Sequence, residues 1–180
     1  FIPVQYILGY SYFYNLKLKV NSNTLIPRNE TEILVELAIN KIKENNFKKV
    51  LDICTGSGAI ALAIKNNINV TVKGSDISKD ALDVARENAE ELHLDVEFIE
   101  SDVLEKVDYN CELIVSNSSL SVIAPSRCSR ASFTVSPPAY LVREPFLPIT
   151  RWQGMKMGRG LRLLAFPTAR QALAFPSLAA

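Results

Sequence analysis

Residues 29–117 are predicted to form an α/β domain of Rossmann-like architecture, and three observations predict it. Short apolar runs alternate with segments of helical periodicity. The helical segments are long enough to carry the chain back across a sheet, which implies parallel βαβ units covered on both faces. The apolar runs also end in polar or glycine-rich residues, where such folds keep their chemistry.

In "YFYNLKLKV" apolar and polar residues alternate from Leu16 to Val20, which predicts a half-buried strand or hairpin within residues 1–28. A helix should follow, capped by Asn29 with Glu32 in capping-box position, and with Ile33, Leu34, Leu37, Ala38 and Ile42 on one face. "KKVLDIC" reads as a buried strand and "AIALAIKNN" as a helix. "VTVKGSDI" is the second strand of the repeat. Ser78 would cap a helix over Lys79 to Leu92, with Ala81, Leu82, Ala85, Ala89 and Leu92 facing the core. "VEFIE" and "CELIVSN" are the third and fourth strands.

Composition divides the chain at Asn117. The net charge of +1 over 180 residues hides 12 Lys and Arg against 18 Asp and Glu in residues 1–117, and 8 against 1 in residues 118–180. The first part is rich in Lys and Asn, whereas the second has no Asn, 7 Arg and 7 Pro. Residues 118–180 therefore read as an aberrant basic tail, expected to be out-of-frame sequence. The competing reading is a basic arm for nucleic acid or a membrane surface. Cys54, Cys111 and Cys128 have neither zinc-ligand spacing nor the look of a disulfide framework, so no metal is expected and a reducing cytoplasm is. No signal peptide is evident, and no run approaches the roughly 20 apolar residues of a membrane span.

The candidate site lies at the strand ends. "DICTGSGAIA" follows the first strand; its Gly56 and Gly58 allow close approach of backbone to a ligand at a turn opening a helix. Asp76 ends the second strand, 18 residues beyond Gly58, placed to accept both hydroxyls of a ribose. After the third strand, Asp102 could accept from an exocyclic amino group and Val103 could pack on a purine. Asn117 ends the fourth. Any one of these has an ordinary structural explanation, but together they point to an adenosine-containing ligand. "GSGAIA" also satisfies the relaxed dinucleotide fingerprint, so these residues leave S-adenosylmethionine and NAD both open.

"QYILGYSYFYNLKLKVNSNTLIPRNETEILVELA", followed by "VLDICTGSGAIALAI", resembles the release-factor glutamine methyltransferase family over residues 3–117. "LIPRNETE" is the most specific part, although the family has Pro where Asn29 stands and Gly where Cys54 stands. The resemblance implies a class I methyltransferase sheet and S-adenosyl-L-methionine as cofactor; the composition change after Asn117 leaves that sheet expected to be incomplete after its fourth strand. It implies transfer of a methyl group to the side-chain amide nitrogen of the glutamine in the Gly-Gly-Gln loop of peptide-chain release factors. Cys54, Thr55, Gly56, Ser57 and Gly58 would hold the methionine end, Asp76 the ribose, and Asp102 with Val103 the adenine. Asn117 would be the catalytic and substrate-binding residue, opening an Asn-Pro-Pro-Tyr motif. The implied protein is a cytoplasmic monomer whose partner is a release factor, not nucleic acid. An N-terminal helical domain normally precedes "QYILG" in this family, so the chain is expected to be a fragment at that end.

Where the family has Asn-Pro-Pro-Tyr, this chain has Asn117-Ser118-Ser119-Leu120. One possible coding of N-S-S-L-S, AAT TCC TCC TTA TCN, becomes AAT CCT CCT TAT C on loss of a single T, which restores the motif. "VREPFL" (Val142 to Leu147) faintly resembles the Glu-Pro segment that follows it in the family. Without rigid prolines and the Tyr ring, the chain is expected to bind cofactor weakly and to be impaired in methyl transfer. The alternatives are an amino-group methyltransferase acting on RNA or DNA bases, an NAD-binding oxidoreductase, and a non-catalytic nucleotide-binding module. The acidic balance of residues 1–117 argues against the first. His93 is expected on the surface, and Trp152 and Tyr140 carry no assigned role.

Overall fold

The computed structural model describes residues 1–108, 110–117, 139–143 and 161–164, the last two stretches as backbone. A short helix α1 (Val4–Leu8) ends at Gly9, which takes a left-handed φ of 76° and donates its N–H to the Gln5 carbonyl. A hairpin follows, β1 (Tyr10–Phe13) antiparallel to β2 (Leu16–Lys19). Phe13, Leu16, Leu18 and Val20 are buried, so the alternation read from the sequence is the alternation of the strands.

Helix α2 (Thr31–Asn45) departs from expectation in two ways. Its buried face is Thr31, Leu34, Val35, Ala38, Ile39 and Ile42; Ile33 is exposed and Leu37 only partly buried. Two apolar stripes compete on this helix, and packing against the neighbouring helix and sheet selects the one carrying Val35 and Ile39. The expected Asn29 cap with Glu32 as its partner also does not form. The helix begins after Glu30 without a side-chain cap, and the Glu32 carboxylate instead accepts the Tyr14 N–H at 2.8 Å, pinning the hairpin turn to the helix.

The remaining elements fall where the pattern put them: β3 (Lys49–Ile53), α3 (Ala59–Asn67), β4 (Thr71–Asp76), α4 (Lys79–Glu91), β5 (Glu97–Glu100) and β6 (Leu113–Ser116). Ser78 caps α4 as expected, its Oγ accepting the Ala81 N–H at 3.2 Å. Ala81, Leu82, Ala85 and Ala89 are buried, with Leu92 packed at the margin. His93 is exposed at a left-handed φ of 54°.

All pairings in the large sheet are parallel, in the order β5-β4-β3-β6-β7-β8. β7 (Ala139–Arg143) and β8 (Leu161–Leu164) carry the sheet beyond the fourth expected strand, where the sequence suggested that it would stop. Their "AYLVR" and "LRLL" runs are apolar enough to pair, and an uncovered β6 edge would offer unpaired backbone groups to such a segment. The rest of 118–180 lies outside the described residues. Strand order reverses between β3 and β6, so their carboxyl ends flank the crevice where ligands of such folds bind.

The main core joins the hairpin, α2, α3, α4 and the strand faces they cover; a smaller one on the other face gathers Leu51, Ile53, Val103, Leu104, Val107, Cys111 and Ile114. Gly74 on β4 is the most closely approached of the described glycines. A Cβ there would stand 2.7 Å from Phe98 Cδ1 and 3.0 Å from Thr55 Oγ1. Gly74→Ala is therefore expected to destabilise the protein by about 1–3 kcal/mol in a chemical denaturation measurement, with partial recovery in the Gly74→Ala, Phe98→Leu double variant.

Candidate functional site

The carboxyl ends of β3, β4, β5 and β6 form one laced rim. Thr55 N–H donates to the Ser75 carbonyl at 3.0 Å, and Gly56 N–H donates to Asp76 Oδ2 at 2.9 Å, joining the loop after β3 to the end of β4. The Ser101 N–H donates to the Asp76 carbonyl at 2.9 Å, joining β4 to the turn after β5. Ser116 Oγ donates to the Ile53 carbonyl at 3.1 Å, joining β6 to β3. The structure thus gathers the sequence-predicted residues on one edge.

The loop from Cys54 to Gly58 presents main chain more than side chain. Thr55 and Ser57 are buried, while Cys54 and Gly56 are half-buried. Nothing lies within 4 Å of where a Gly56 Cβ would stand, and the residue has a φ of 57°, so both its conformation and the open space before it suit close approach of a ligand. Gly58 has a different reason to lack a side chain. Its φ is 82°, and a Cβ would press on Leu62, Phe98 and Ala85 at 3.1–3.2 Å. Cys54 holds a φ of 58°, a left-handed conformation that costs a non-glycine residue roughly 1–2 kcal/mol. That accounts for glycine being the residue expected at this position.

Asp76 is half-buried at the rim, and its second oxygen accepts the Ser78 N–H at 3.0 Å. A carboxylate has about four acceptor sites, so two backbone donors leave capacity for a pair of ligand hydroxyls. Asp102 is also half-buried, whereas Val103 is only 3% exposed and packs in the smaller core. Of that pair Asp102 is the one with surface to offer. Asn117 is exposed at the end of β6, and its Nδ2 donates to the Thr31 hydroxyl at 2.8 Å. The first residue of α2 thus fixes the Asn117 side chain, a link across 86 positions that the sequence does not announce.

Asp52 is another residue that sequence reasoning passed over. It lies under the loop with no exposed surface. Thr55 Oγ1 donates to its Oδ2 at 2.6 Å, and Oδ1 has no hydrogen-bond partner. Burial pushes its pKa up to about 7; the Thr55 hydroxyl and Ala61 N–H oppose the rise, and Asp76 adds to it. An acid inside the apolar run "VLDIC" was the available signal. Burial likewise pushes the Cys111 thiol up to about 12, which makes it inert core. Among the described residues no metal-binding group is found, and no helix is long and apolar enough to cross a membrane.

A family model described as "Methyltransferase small domain" matches residues 27–122. The chain belongs to that family. The match takes in the whole of α2 and the site-bearing strands β3 to β6. A release factor glutamine methyltransferase from Lactococcus lactis is 52% identical over 116 residues, covering 64% of this chain and 43% of the relative. One of the same name from Streptococcus pneumoniae is 49% identical over 116 residues, covering 64% and 41%. The chain thus spans less than half the length of these relatives. Among solved structures, a ribosomal protein L11 methylase from Lactobacillus delbrueckii subsp. bulgaricus superposes with a TM-score of 0.52 at 25% identity, covering 64% of this chain and 61% of that one. A Pyrococcus abyssi tRNA (uracil-54, C5)-methyltransferase gives a TM-score of 0.52 at 21% identity over 67% and 30%, a likeness of fold alone.

The Asp52 environment sets a pH dependence. Its folded pKa lies above the ordinary value of 3.8, so the native state favours the protonated form. The stabilisation is complete below about pH 4, is lost as pH rises toward 7, and is flat beyond. Thermal midpoints of wild type and Asp52→Asn, measured from pH 4 to pH 8, should diverge in slope. The variant should lack a loss on the order of 2–4 kcal/mol across that window.

Proposed function

We propose that this protein is an S-adenosylmethionine-dependent methyltransferase domain whose substrate is the side-chain amide of a glutamine in a peptide-chain release factor. The observation that carries the reading is the Gly56-to-Asp76 contact of 2.9 Å, which sets an open backbone cradle beside a carboxylate with acceptor capacity to spare. The 52% identity to a release factor glutamine methyltransferase supports the choice of substrate. In this reading residues 29–117 are the cofactor domain, residues 1–28 a hairpin segment, and residues 118–180 an out-of-frame tail on a cytoplasmic protein.

The residues present fit the cofactor. Gly56 has the open space that a ligand backing onto main chain requires. Cys54 to Gly58 would hold the methionine end, Asp76 the ribose hydroxyls, and Asp102 the adenine amino group, with Val103 behind it. When bound, S-adenosylmethionine supplies an electrophilic methyl group on a sulfonium. Asn117 Oδ1 would accept a hydrogen of the glutamine amide, while its Nδ2 is already committed to Thr31. Holding the amide in this way orients its nitrogen, and orientation supplies most of the acceleration for so poor a nucleophile. The family resemblance gives the second acceptor to the carbonyl of the first motif proline; Ser118-Ser119-Leu120 stand in its place here and lie outside the described residues.

Two measurements test this. The coding sequence for residues 110–180, read in all frames, should give Asn-Pro-Pro-Tyr and a Lys- and Asn-rich continuation in one of them. The corrected-frame protein should then transfer labelled methyl groups to a release factor at least about a hundredfold faster than the present chain. Labelling of RNA or DNA in preference to the release factor would move the reading to a nucleic-acid methyltransferase. Full activity of the chain as it stands would refute the role given to the missing prolines and tyrosine.

A further inference from the structure

Asn88 lies on the inner face of α4 with no exposed surface. Its side-chain amide makes three hydrogen bonds, none of them within its own helix. Oδ1 accepts the Lys19 N–H at 2.6 Å, and Nδ2 donates to the Lys19 carbonyl at 3.1 Å and to the Ser57 carbonyl at 3.0 Å. Both donors and one of the two acceptor sites of the carbonyl oxygen are in use, so the amide has no donor to spare. Its orientation is also fixed, because two carbonyls demand donors and one N–H demands an acceptor.

The partners belong to two places far apart in the chain. Lys19 ends β2 of the hairpin, 69 positions before Asn88. Ser57 sits in the glycine loop, next to the open Gly56. A buried amide shared between them makes the position of one depend on the position of the other. The Lys19 side chain also reaches Glu87 at 3.1 Å and Glu91 at 3.7 Å, but these are exposed pairs and hold little. The opposite end of the hairpin is tied to α2 by the bond from Tyr14 N–H to Glu32, one residue from the Thr31 that holds Asn117.

We propose that Asn88 is a positioning residue coupling the N-terminal hairpin to the glycine loop, so that cofactor occupancy and order in the hairpin are linked. The inference rests on reading that loop as the S-adenosylmethionine site. Linkage of this kind is reciprocal: a ligand that fixes the loop protects the hairpin, and loosening the hairpin weakens the ligand. Asn88→Asp keeps the acceptor for Lys19 N–H but removes both donors, leaving two buried carbonyls facing a carboxylate.

Hydrogen exchange followed by mass spectrometry on the full chain tests it, with and without S-adenosylhomocysteine. In the ligand-free Asn88→Asp variant, segments 16–20 and 54–60 should exchange faster together, by roughly ten- to a hundredfold. Lys19→Met, which removes only the exposed ion pairs, should leave both segments unchanged. In the wild type, ligand should slow exchange in 16–20 as well as in the loop, and Asn88→Asp should lose the hairpin part of that protection. The wild-type arm needs no variant to fold. Uniformly faster exchange throughout Asn88→Asp, or ligand that protects the loop of the wild type and not its hairpin, overturns the coupling. If S-adenosylhomocysteine fails to bind the wild type at all, the cofactor reading falls and the proposed linkage with it.

Discussion

Gly56 can hand its N–H to Asp76 only because β3 and β4 run side by side, in register from Lys49 opposite Thr71 to Ile53 opposite Ser75. The parallel ladder brings both strand ends to one level, and the loop then continues the pairing by one more bond, Thr55 to Ser75. The glycine loop, Asp76 and Asp52 all depend on that alignment. It leaves the Gly56 face open, puts the Asp76 carboxylate beside it, and sets Asp52 beneath, where water cannot reach. A shift of one residue would turn Asp76 from the rim to the other face of the sheet.

Side chains of α2 and α4 act as braces on this rim. Glu32 holds the hairpin turn, Asn88 holds the hairpin end and the loop, and Thr31 holds Asn117. Each brace uses a polar side chain to satisfy a group on a distant segment, and two of them come from the first two residues of α2. Both of those residues belong to the "LIPRNETE" stretch. Two of its residues are spent on tertiary bonds, not on the helix cap that its pattern suggested.

The sheet strands and the helices between them were legible because burial on one face or both leaves a period in the sequence. The phase of α2 was not, since Ile33 and Leu37 are as apolar as Val35 and Ile39 and only packing chooses between them. Asp76, Asp102 and Asn117 could be placed because a strand end is a position that pattern can locate. What each one touches could not. The bonds from Glu32 to Tyr14 and from Asn117 to Thr31 span 18 and 86 positions, and nothing local encodes them. Asn88 and Asp52 left a signal that went unused: a polar residue on the inward face of α4 and an acid inside a buried strand. The strands β7 and β8 were missed because the composition change at Asn117 masked short runs that the β6 edge could recruit.

The central claim is that the open loop and Asp76 together form a site for an adenosine-bearing cofactor. Titration calorimetry of S-adenosylhomocysteine into the full chain and into Asp76→Ala tests it most directly, with NAD as the competing ligand. The account predicts one site in the wild type, no heat from NAD, and an affinity loss of roughly ten- to a hundredfold in the variant, the cost of a charge-assisted bond. Equal affinity in the two proteins, or binding of NAD in place of S-adenosylhomocysteine, would contradict it.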